Sequence, residues 1–438
     1  MAALHNIVWL LVLIGVMILV HELGHFWAAR FFNVRVDVFS FGFGPRLFGF
    51  KRGDTDYRLS AVLFGGYVKM AGDQPGEEGA DDPHGFLNKP RWQRLIIAVA
   101  GPAMNILLSI GILAGLFMVH YQKVVQDGPS VIGHVEKNSA AAKAGLEAGD
   151  VITRFDGKRN PSWEDITLKT VASAYKTLDV SVARAGRPID ARITPLLDEK
   201  EGIGEAGWDE DGPIEAYSVS PGMPAQKAGI EAGDLLLSID GKPVRSRYTL
   251  LESIRQSGGK AVIVEVDRKG KKLSFPVTPT FSKADGKPRF MIGVAPDLKR
   301  NIFSGKLSLP DALSESVRQN TKNATLIVGF LKGMIERRLP AKSLEGPIGI
   351  ARRSGEAASQ GPIAFLALMT VVSLNLAIFN LLPIPILDGG MIVLLLIEMV
   401  MGRDVSMAAK ENILKVGFVF LMMVVVLVLY NDISKLIS

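Results

Sequence analysis

Four long apolar segments constrain this chain more than any other feature. They cover about residues 7–29, 95–118, 362–400 and 413–430, and each is near or above the length that crosses the hydrocarbon core of a bilayer. Backbone polar groups in hydrocarbon must find partners within the protein, so spanning segments of this kind are helices. A polar stretch of about 240 residues separates the second segment from the third. The sequence therefore predicts a polytopic α-helical membrane protein with four transmembrane helices and a large polar region between them.

The distribution of Lys and Arg predicts the orientation of these helices. His5 is the only basic candidate before the first segment, whereas residues 30–94 are rich in Lys and Arg. By the positive-inside rule this loop is cytoplasmic, and both termini and the long polar stretch are extracytoplasmic. The formal charge is a modest +6 and no basic run with interleaved aromatics is present, so nucleic acid is not a predicted partner. The chain has no cysteine, which excludes disulfides and thiolate metal ligands.

The first apolar segment contains the residues His21-Glu22-Leu23-Gly24-His25. Positions i and i+4 of a helix share one face, so both imidazoles can reach one ion while Glu22 lies beside them. This is the HExxH pattern of zinc proteases. An ionisable group near a bilayer centre is disfavoured by roughly 2.5 to 3.5 kcal/mol. Three such groups therefore favour a metal site over an amphipathic surface helix, and the motif is expected toward the cytoplasmic side.

The third apolar region ends in a proline-rich stretch that carries a candidate third ligand. Two prolines, Pro383 and Pro385, break the helix shortly after Asn375 and Asn380, and Asp388 follows. Because the third helix runs inward, Asp388 is expected at about the depth of His25. Two histidines and one carboxylate form a zinc site with an open fourth position. The alternative is a capping aspartate at a helix–loop junction.

Residues 34–70 alternate short apolar and polar runs with glycine-rich turns, which predicts a β-hairpin or small sheet. Its apolar character favours a hairpin that dips toward the membrane beside the motif, with a sheet on the membrane surface as the alternative. The second span starts near Leu95 and contains Gly101-Pro102-Ala103-Met104-Asn105. Small residues allow close helix approach, so we expect Asn105 to pack against the first helix rather than to act in catalysis.

The polar stretch contains an internal repeat. Residues 139–157 match residues 223–241 without a gap, and Gly149/Gly233 and Asp150/Asp234 are each offset by 84 positions. Each copy continues into a helical stretch and further strands. The pattern resembles the PDZ domain in its bacterial permuted form. PDZ domains bind extended peptides by strand addition; peptide capture and simple obstruction of access both stay open for these copies, and residues 202–207 and 291–296 are candidate closing strands.

These features divide the chain into eight segments. They are the first transmembrane helix with HExxH (1–32), a cytoplasmic-side hairpin and loop (33–94), the second transmembrane helix (95–120), PDZ domain 1 (128–200), PDZ domain 2 (212–280), an amphipathic connecting helix region (309–345), the third transmembrane region (362–400) and the fourth transmembrane helix (411–431). The amphipathic region either lies in the membrane interface or simply connects its neighbours.

Together the HExxH motif, the Gly-Pro-x-x-Asn start of the second span and the Asn-x-x-Pro-x-Pro-x-Leu-Asp-Gly run resemble the site-2 protease family of intramembrane metalloproteases. The tandem PDZ copies point to the branch that acts in the bacterial sigma-E stress response. The resemblance implies one Zn²⁺ per chain held by His21, His25 and Asp388, with Glu22 as catalytic base. It also implies substrate binding near the third helix, for which the candidates are Asn375, Asn380, Pro383 and Pro385.

The same resemblance implies single-span membrane proteins as substrates: an anti-sigma factor already cut on its outer side, and signal-peptide remnants. It places the chain in the bacterial inner membrane, with termini and PDZ domains in the periplasm and the active site near the cytoplasmic leaflet. Two other functions compete. A non-catalytic scaffold would capture external peptides through its PDZ domains and would not depend on zinc. A metal transporter would need ligands along a path through the bilayer, whereas the candidate ligands share one depth.

Overall fold

A computed structural model describes residues 2–73, 82–125, 128–198, 201–282, 288–340 and 345–437. The loop predicted within 33–94 includes residues 74–81, which lie outside the described residues. The chain divides into two compact units. The helical unit comprises Met1–Tyr121, Ser304–Val328 and Ala341–Ser438, and the sheet unit comprises Gln122–Phe303 and Gly329–Pro340.

The described elements follow one another along the chain in four groups. The first group is α1 (Ala2–Phe31), β1 (Val36–Arg52), β2 (Thr55–Met70), α2 (Arg91–Val119) and β3 (Tyr121–Val125). The second is β4 (Ser130–Val135), α3 (Ala140–Lys143), β5 (Val151–Phe155), β6 (Lys158–Arg159), α4 (Trp163–Val171), β7 (Leu178–Arg184), β8 (Arg187–Ile193), β9 (Leu196–Asp198), β10 (Ile203–Glu205) and β11 (Trp208–Glu210). The third is β12 (Ile214–Val219), α5 (Pro224–Ala228), β13 (Leu235–Ile239), β14 (Lys242–Pro243), α6 (Arg247–Gln256), β15 (Val262–Arg268), β16 (Lys271–Val277), β17 (Thr280–Ser282), β18 (Arg289–Met291) and β19 (Val294–Leu298). The last is β20 (Asn301–Gly305), α7 (Leu309–Ile335), α8 (Pro347–Gln360), α9 (Pro362–Asn380), α10 (Asp388–Met401) and α11 (Met407–Ile437).

Four of the described helices are long and apolar enough to cross a membrane, which confirms the four predicted apolar helices. They are Ala3–Phe31, Arg91–Val119, Pro362–Asn380 and Ala408–Ser434. The third apolar region is two helices rather than one, because the chain leaves the helix after Asn380 and re-enters it at Asp388. Proline lacks an N–H donor and disfavours helix in the residue before it, so the Pro-x-Pro run causes this break.

Close packing of α1 against α2 places the HExxH face of the first span inside the helical unit. Gly24 lies where a Cβ would collide with the Ala100 carbonyl oxygen, so only glycine permits this approach. Further along α1, Leu13 and Met17 are buried against Phe365 and Met369 of α9. The helix that carries HExxH is therefore enclosed by α2 on one side and α9 on another.

The first two strands form a long antiparallel hairpin with several bulges, paired from Val36↔Met70 to Arg52↔Thr55. Its base packs on α1, where Phe39 contacts Phe26 edge to face. Toward its tip the hairpin exposes large apolar side chains, including Leu47 and Phe48. The hairpin thus has a base built into the helical unit and an apolar tip.

The two repeat copies fold into modules of the same topology. The first module (residues 130–210) has sheet order β11-β4-β5-β7-β8, and the second (residues 214–298) has order β19-β12-β13-β15-β16. Each sheet encloses its own buried apolar cluster. The strand that closes each sheet lies a few residues later than predicted: β10 pairs with β9 instead, and it is β11 and β19 that join the sheets.

In each module an arginine binds the aspartate of the Gly-Asp turn that the two repeat copies share. Asp150 is fully buried and accepts hydrogen bonds from Arg184 Nε at 2.7 Å and from the Glu147 main-chain N–H at 2.9 Å. Asp234 is bound in the same way by Arg268 and Glu231, at 2.7 and 2.9 Å. Burial by itself raises the pKa of Asp150, but the hydrogen bonds from Arg184 and from the Glu147 N–H outweigh it and lower that pKa.

Replacement of Arg184 by Ala is expected to destabilise the first module at neutral pH. The substitution leaves the carboxylate of Asp150, which is 0% exposed, without its cationic partner, whereas the Arg184 side chain itself is 31% exposed. The measurement is hydrogen exchange of β5 in the intact protein. Because the folded-state pKa of Asp150 is lowered, the stabilisation is present above the ordinary aspartate range and is lost as pH falls through the lowered pKa.

The matched control for this prediction is Arg192→Ala in the same module. Arg192 pairs with Asp179 at 3.4 Å, and both side chains are mostly exposed. Such pairs contribute about 0 to 1 kcal/mol, so protection of β5 should barely change. Equal effects of the two substitutions would contradict the role assigned to Arg184.

Candidate metal centre

Three predicted ligands meet at one point in the helical unit. His21 and His25 are buried on α1, and their Nε2 atoms are 3.2 Å apart. Asp388 lies at the start of α10, with Oδ2 at 3.1 Å from His21 Nε2 and Oδ1 at 3.4 Å from His25 Nε2. One ligand atom from each of the three residues lies within 4.8 Å of the others. The structure therefore brings the three predicted ligands, from α1 and from the start of α10, into one cluster.

Groups of α2 lie against the Nδ1 atoms of both imidazoles. His25 Nδ1 lies 2.7 Å from the Ile97 main-chain oxygen. A carbonyl only accepts, so Nδ1 carries the proton and the Nε2 lone pair is directed at the cluster. His21 Nδ1 lies 3.3 Å from Asn105 Nδ2. Asn105 does contact the first helix, but it reaches a candidate ligand, which was not predicted from the sequence.

Gly101 makes room for the histidines. A Cβ at this position would collide with the His25 ring and would lie 2.9 Å from His21 Cε1. Together with Gly24, it lets the α2 backbone approach α1 closely enough for the Ile97 carbonyl to reach His25. In the sequence, the feature that indicates this close approach of the two helices is Gly101, which lies one turn before Asn105 in the Gly-Pro-x-x-Asn run.

The turn between α9 and α10 aims Asp388 at the histidines. Leu387 is the N-cap residue of α10, so Asp388 is the first helical residue and its carboxylate faces the imidazoles instead of capping. Side chains at Gly389 and Gly390 would collide with the carbonyl oxygens of the turn that packs beneath them. Ile386 has a φ of 87°, which is rare for a β-branched residue and costs about 1 to 3 kcal/mol. The run Pro-x-Pro-x-Leu-Asp-Gly-Gly thus encodes one tight turn.

The donor set fits a zinc ion. Zinc binds imidazole nitrogen and carboxylate oxygen at about 2.0 to 2.2 Å in tetrahedral geometry, so neighbouring ligand atoms lie about 3.3 Å apart. His21 Nε2 and His25 Nε2 are 3.2 Å apart, and the Asp388 carboxylate places Oδ2 at 3.1 Å from the first and Oδ1 at 3.4 Å from the second. Three protein ligands leave one position for water or substrate, which is the catalytic rather than the structural arrangement.

A cavity of about 690 Å³ adjoins the three candidate ligands. Glu22 lines it and accepts a hydrogen bond from the Val68 main-chain N–H, so strand β2 holds the predicted base in place. Asn380 of α9 also lines it. The open side of the candidate centre is therefore bounded by α1, β2, α9 and the start of α10.

The other predicted substrate-binding residues lie elsewhere. Among the described residues that line the cavity, Asn375, Pro383 and Pro385 are absent. Pro383 is exposed, and Pro385 packs against Gly417 of α11. Of the four candidates, the structure brings only Asn380 to the cavity, and the two prolines contribute through the turn.

Comparison with known proteins agrees with this geometry. The profile of Peptidase family M50 matches residues 9–424. "Regulator of sigma-E protease RseP" of Salmonella typhimurium (strain 14028s / SGSC 2262) is 32% identical over 463 residues, covering 100% of both chains. The protein of the same name in Escherichia coli (strain K12) is 32% identical over 454 residues, covering 97% of this chain and 98% of the relative. A Vibrio cholerae protein whose name marks it as a predicted zinc metalloprotease is 29% identical over 99% of both chains.

A solved PDZ domain of the SdrC-like protein from Listeria monocytogenes matches 20% of this chain and 92% of its own length, at 25% identity and a TM-score of 0.18. A score this low does not define the fold of either module.

A bundle of apolar helices that encloses two histidines, a carboxylate and a neighbouring glutamate defines a metallopeptidase with membrane-spanning helices. The chain belongs to peptidase family M50, the site-2 protease family, and it is a metalloendopeptidase. This sets aside the non-catalytic scaffold and the transporter as its primary function.

Proposed function

We propose that this protein cuts the transmembrane segment of single-span membrane proteins at one Zn²⁺ held by His21, His25 and Asp388. The observation that carries the proposal is the convergence of these three side chains, at 3.1 to 3.4 Å, within helices apolar enough to lie in a membrane. Ionisable groups at such a position are costly unless they share a ligand. Their depth near the cytoplasmic leaflet follows from the uneven distribution of Lys and Arg.

Glu22 is the proposed general base and acid. A zinc ion bound at this position supplies Lewis-acid polarisation of the scissile carbonyl and a more acidic water. The Glu22 carboxylate takes the proton from the attacking water and delivers it to the leaving amine. The hydrogen bond from the Val68 N–H keeps this side chain turned toward the cavity.

Strand β2 and Asn380 are proposed to hold the substrate backbone. A transmembrane helix hides its carbonyl groups in its own hydrogen bonds, so the segment to be cut has to unwind first. The freed groups then need partners, because no water is available in hydrocarbon. Gly66 and Tyr67 of β2 line the cavity beside Glu22, and an extended segment added to this strand would recover main-chain hydrogen bonds. The Asn380 amide can bond one further peptide group.

The names of the relatives suggest the setting. Because proteins named regulator of sigma-E protease match over the full length, we place this chain in the inner membrane and in a sigma-E stress response. Its proposed substrates are an anti-sigma factor after a first external cut, and signal-peptide remnants. The two modules, with one repeated topology, are proposed to be periplasmic PDZ domains that either grip a peptide or admit only clipped substrates.

Removal of the metal is expected to lower cleavage of a single-span test protein by at least about 1000-fold, since a catalytic zinc contributes several kcal/mol. The assay uses purified protein in vesicles, treated with 1,10-phenanthroline, and product mass gives the cut position. Added Zn²⁺ should restore the rate, and the cut should fall within the apolar segment. Undiminished cleavage by metal-depleted protein would sink the proposal, as would a cut in the soluble part of the substrate.

A further inference from the structure

Asn105 is a buried amide that meets a histidine of the candidate metal centre. Its side chain is 0% exposed, and its Nδ2 lies 3.3 Å from His21 Nδ1. Among the residues that the structure describes, its Oδ1 has no hydrogen-bond partner. A buried acceptor without a donor costs about 1 to 3 kcal/mol, so this orphaned oxygen calls for an explanation.

The position of the proton on His21 offers a donor to this oxygen. His21 Nε2 faces Asp388 Oδ2 and His25 Nε2, at 3.1 and 3.2 Å. A neutral imidazole that gives Nε2 to a metal carries its proton on Nδ1, which is then a donor. The amide nitrogen that faces it is also a donor. Rotation of the Asn105 amide by about 180° exchanges its nitrogen and oxygen with almost no change of shape, and Oδ1 then accepts from Nδ1–H.

We propose that Asn105 is a positioning residue that holds His21, through its side-chain oxygen, in the tautomer and ring orientation that ligate zinc. The inference rests on the zinc site of the proposed function. The Ile97 carbonyl serves His25 in the same way, at 2.7 Å from its Nδ1. Both acceptors come from α2, so one helix orients both imidazoles of α1.

The surroundings of Asn105 suit this task. Its main-chain oxygen accepts a hydrogen bond from Ser373 Oγ of α9 at 2.9 Å, which pins this turn of α2. One turn further, Ser109 Oγ lies 2.6 Å from Asn320 Oδ1 and 2.9 Å from the Thr370 main-chain oxygen, and its single proton is shared between these two acceptors. The helix is thus anchored on both sides of the amide, while the amide rotation breaks no hydrogen bond to Oδ1.

The test is the zinc affinity of the full-length protein, measured by competition with a chelator. Asn105→Leu and the smaller Asn105→Ala both remove the acceptor and should weaken zinc binding about 10- to 100-fold, as loss of an outer hydrogen-bond partner does. Asn105→Asp keeps an acceptor oxygen and should bind zinc at least as tightly as the wild type. In ¹⁵N-histidine spectra of the zinc-loaded wild type, the His21 ring should carry its proton on Nδ1.

The matched control is Ser354→Ala, which removes a fully buried hydroxyl on α8 of the same unit, bonded only to the Ile350 main-chain oxygen of its own helix, and should leave zinc affinity unchanged. Wild-type affinity in Asn105→Leu and Asn105→Ala would overturn the inference, and so would an Asn105→Asp variant as weak as the other two. Failure of the zinc site itself is distinguishable: the same titration on Asp388→Ala would then give wild-type affinity.

Discussion

Glu22→Gln is expected to bind zinc like the wild type and to lose cleavage by about 100- to 10,000-fold, the usual contribution of a general base. Glutamine has nearly the same shape, and its amide oxygen can still accept from the Val68 N–H, so the cavity should keep its form. What the variant lacks is a group that can take a proton from water. The measurement pairs zinc content with the single-turnover rate on a single-span test protein.

The matched control for Glu22→Gln is Glu411→Gln on α11. Glu411 pairs with Lys415 at 2.8 Å on an exposed face, and neither residue lines the cavity. It should cut at the wild-type rate, so a general effect of removing a carboxylate can be excluded. If purified Glu22→Gln still cut the test protein at the wild-type rate, Glu22 would not be the base. Loss of zinc from this variant would instead make Glu22 part of the metal site.

Asp388→Ala is expected to lose zinc affinity by more than about 100-fold, and cleavage with it. Removal of an outer hydrogen-bond partner already costs 10- to 100-fold in metal affinity, and Asp388 is proposed as a direct ligand. Its carboxylate is also the acidic partner that both histidines face, at 3.1 and 3.4 Å. The measurement is zinc content after dialysis against a chelator, followed by the vesicle assay with excess zinc.

A suitable control for Asp388→Ala is Glu356→Gln, an exposed carboxylate on α8 of the same unit. It should retain both zinc and activity. The alternative interpretation of Asp388 as a helix cap makes the opposite prediction, because a lost cap lowers stability by about 1 kcal/mol and leaves the metal in place. Undiminished zinc in Asp388→Ala would remove this residue from the site, even if the variant were less stable.

Features carried by local periodicity could be predicted from the sequence. Hydropathy over about twenty residues identifies the four apolar helices, and the i, i+4 spacing brings His21 and His25 to one face. Proline and glycine in the sequence predict the turn before α10. Only glycine fits at positions 389 and 390, because a Cβ there would collide with the carbonyl groups of the preceding turn. The repeat could be identified because its matching residues are separated by a constant 84 positions.

Contacts between distant elements depended on the tertiary structure. Arg184 pairs with Asp150 from 34 positions away, and no local pattern links the two. Asn375 and Asn380 were equal candidates in the sequence, but they differ by five positions on α9, and only Asn380 lines the cavity. The rotation of a helix about its axis is set by its neighbours, so a motif alone does not decide which of two residues faces a site.

The sequence by itself determined that this chain has four apolar helices, that an HExxH pair lies inside the first, and that Asp388 is the candidate third ligand. Only the tertiary structure decided what surrounds those candidate ligands: the Ile97 carbonyl at His25, the Asn105 amide at His21, and the space that Gly101 leaves for both rings. The physical reason is that candidate ligands can be recognised from their side-chain chemistry and their short spacing in the sequence. Ligand orientation arises where α2 packs on α1, and it comes partly from a main-chain oxygen that every residue possesses.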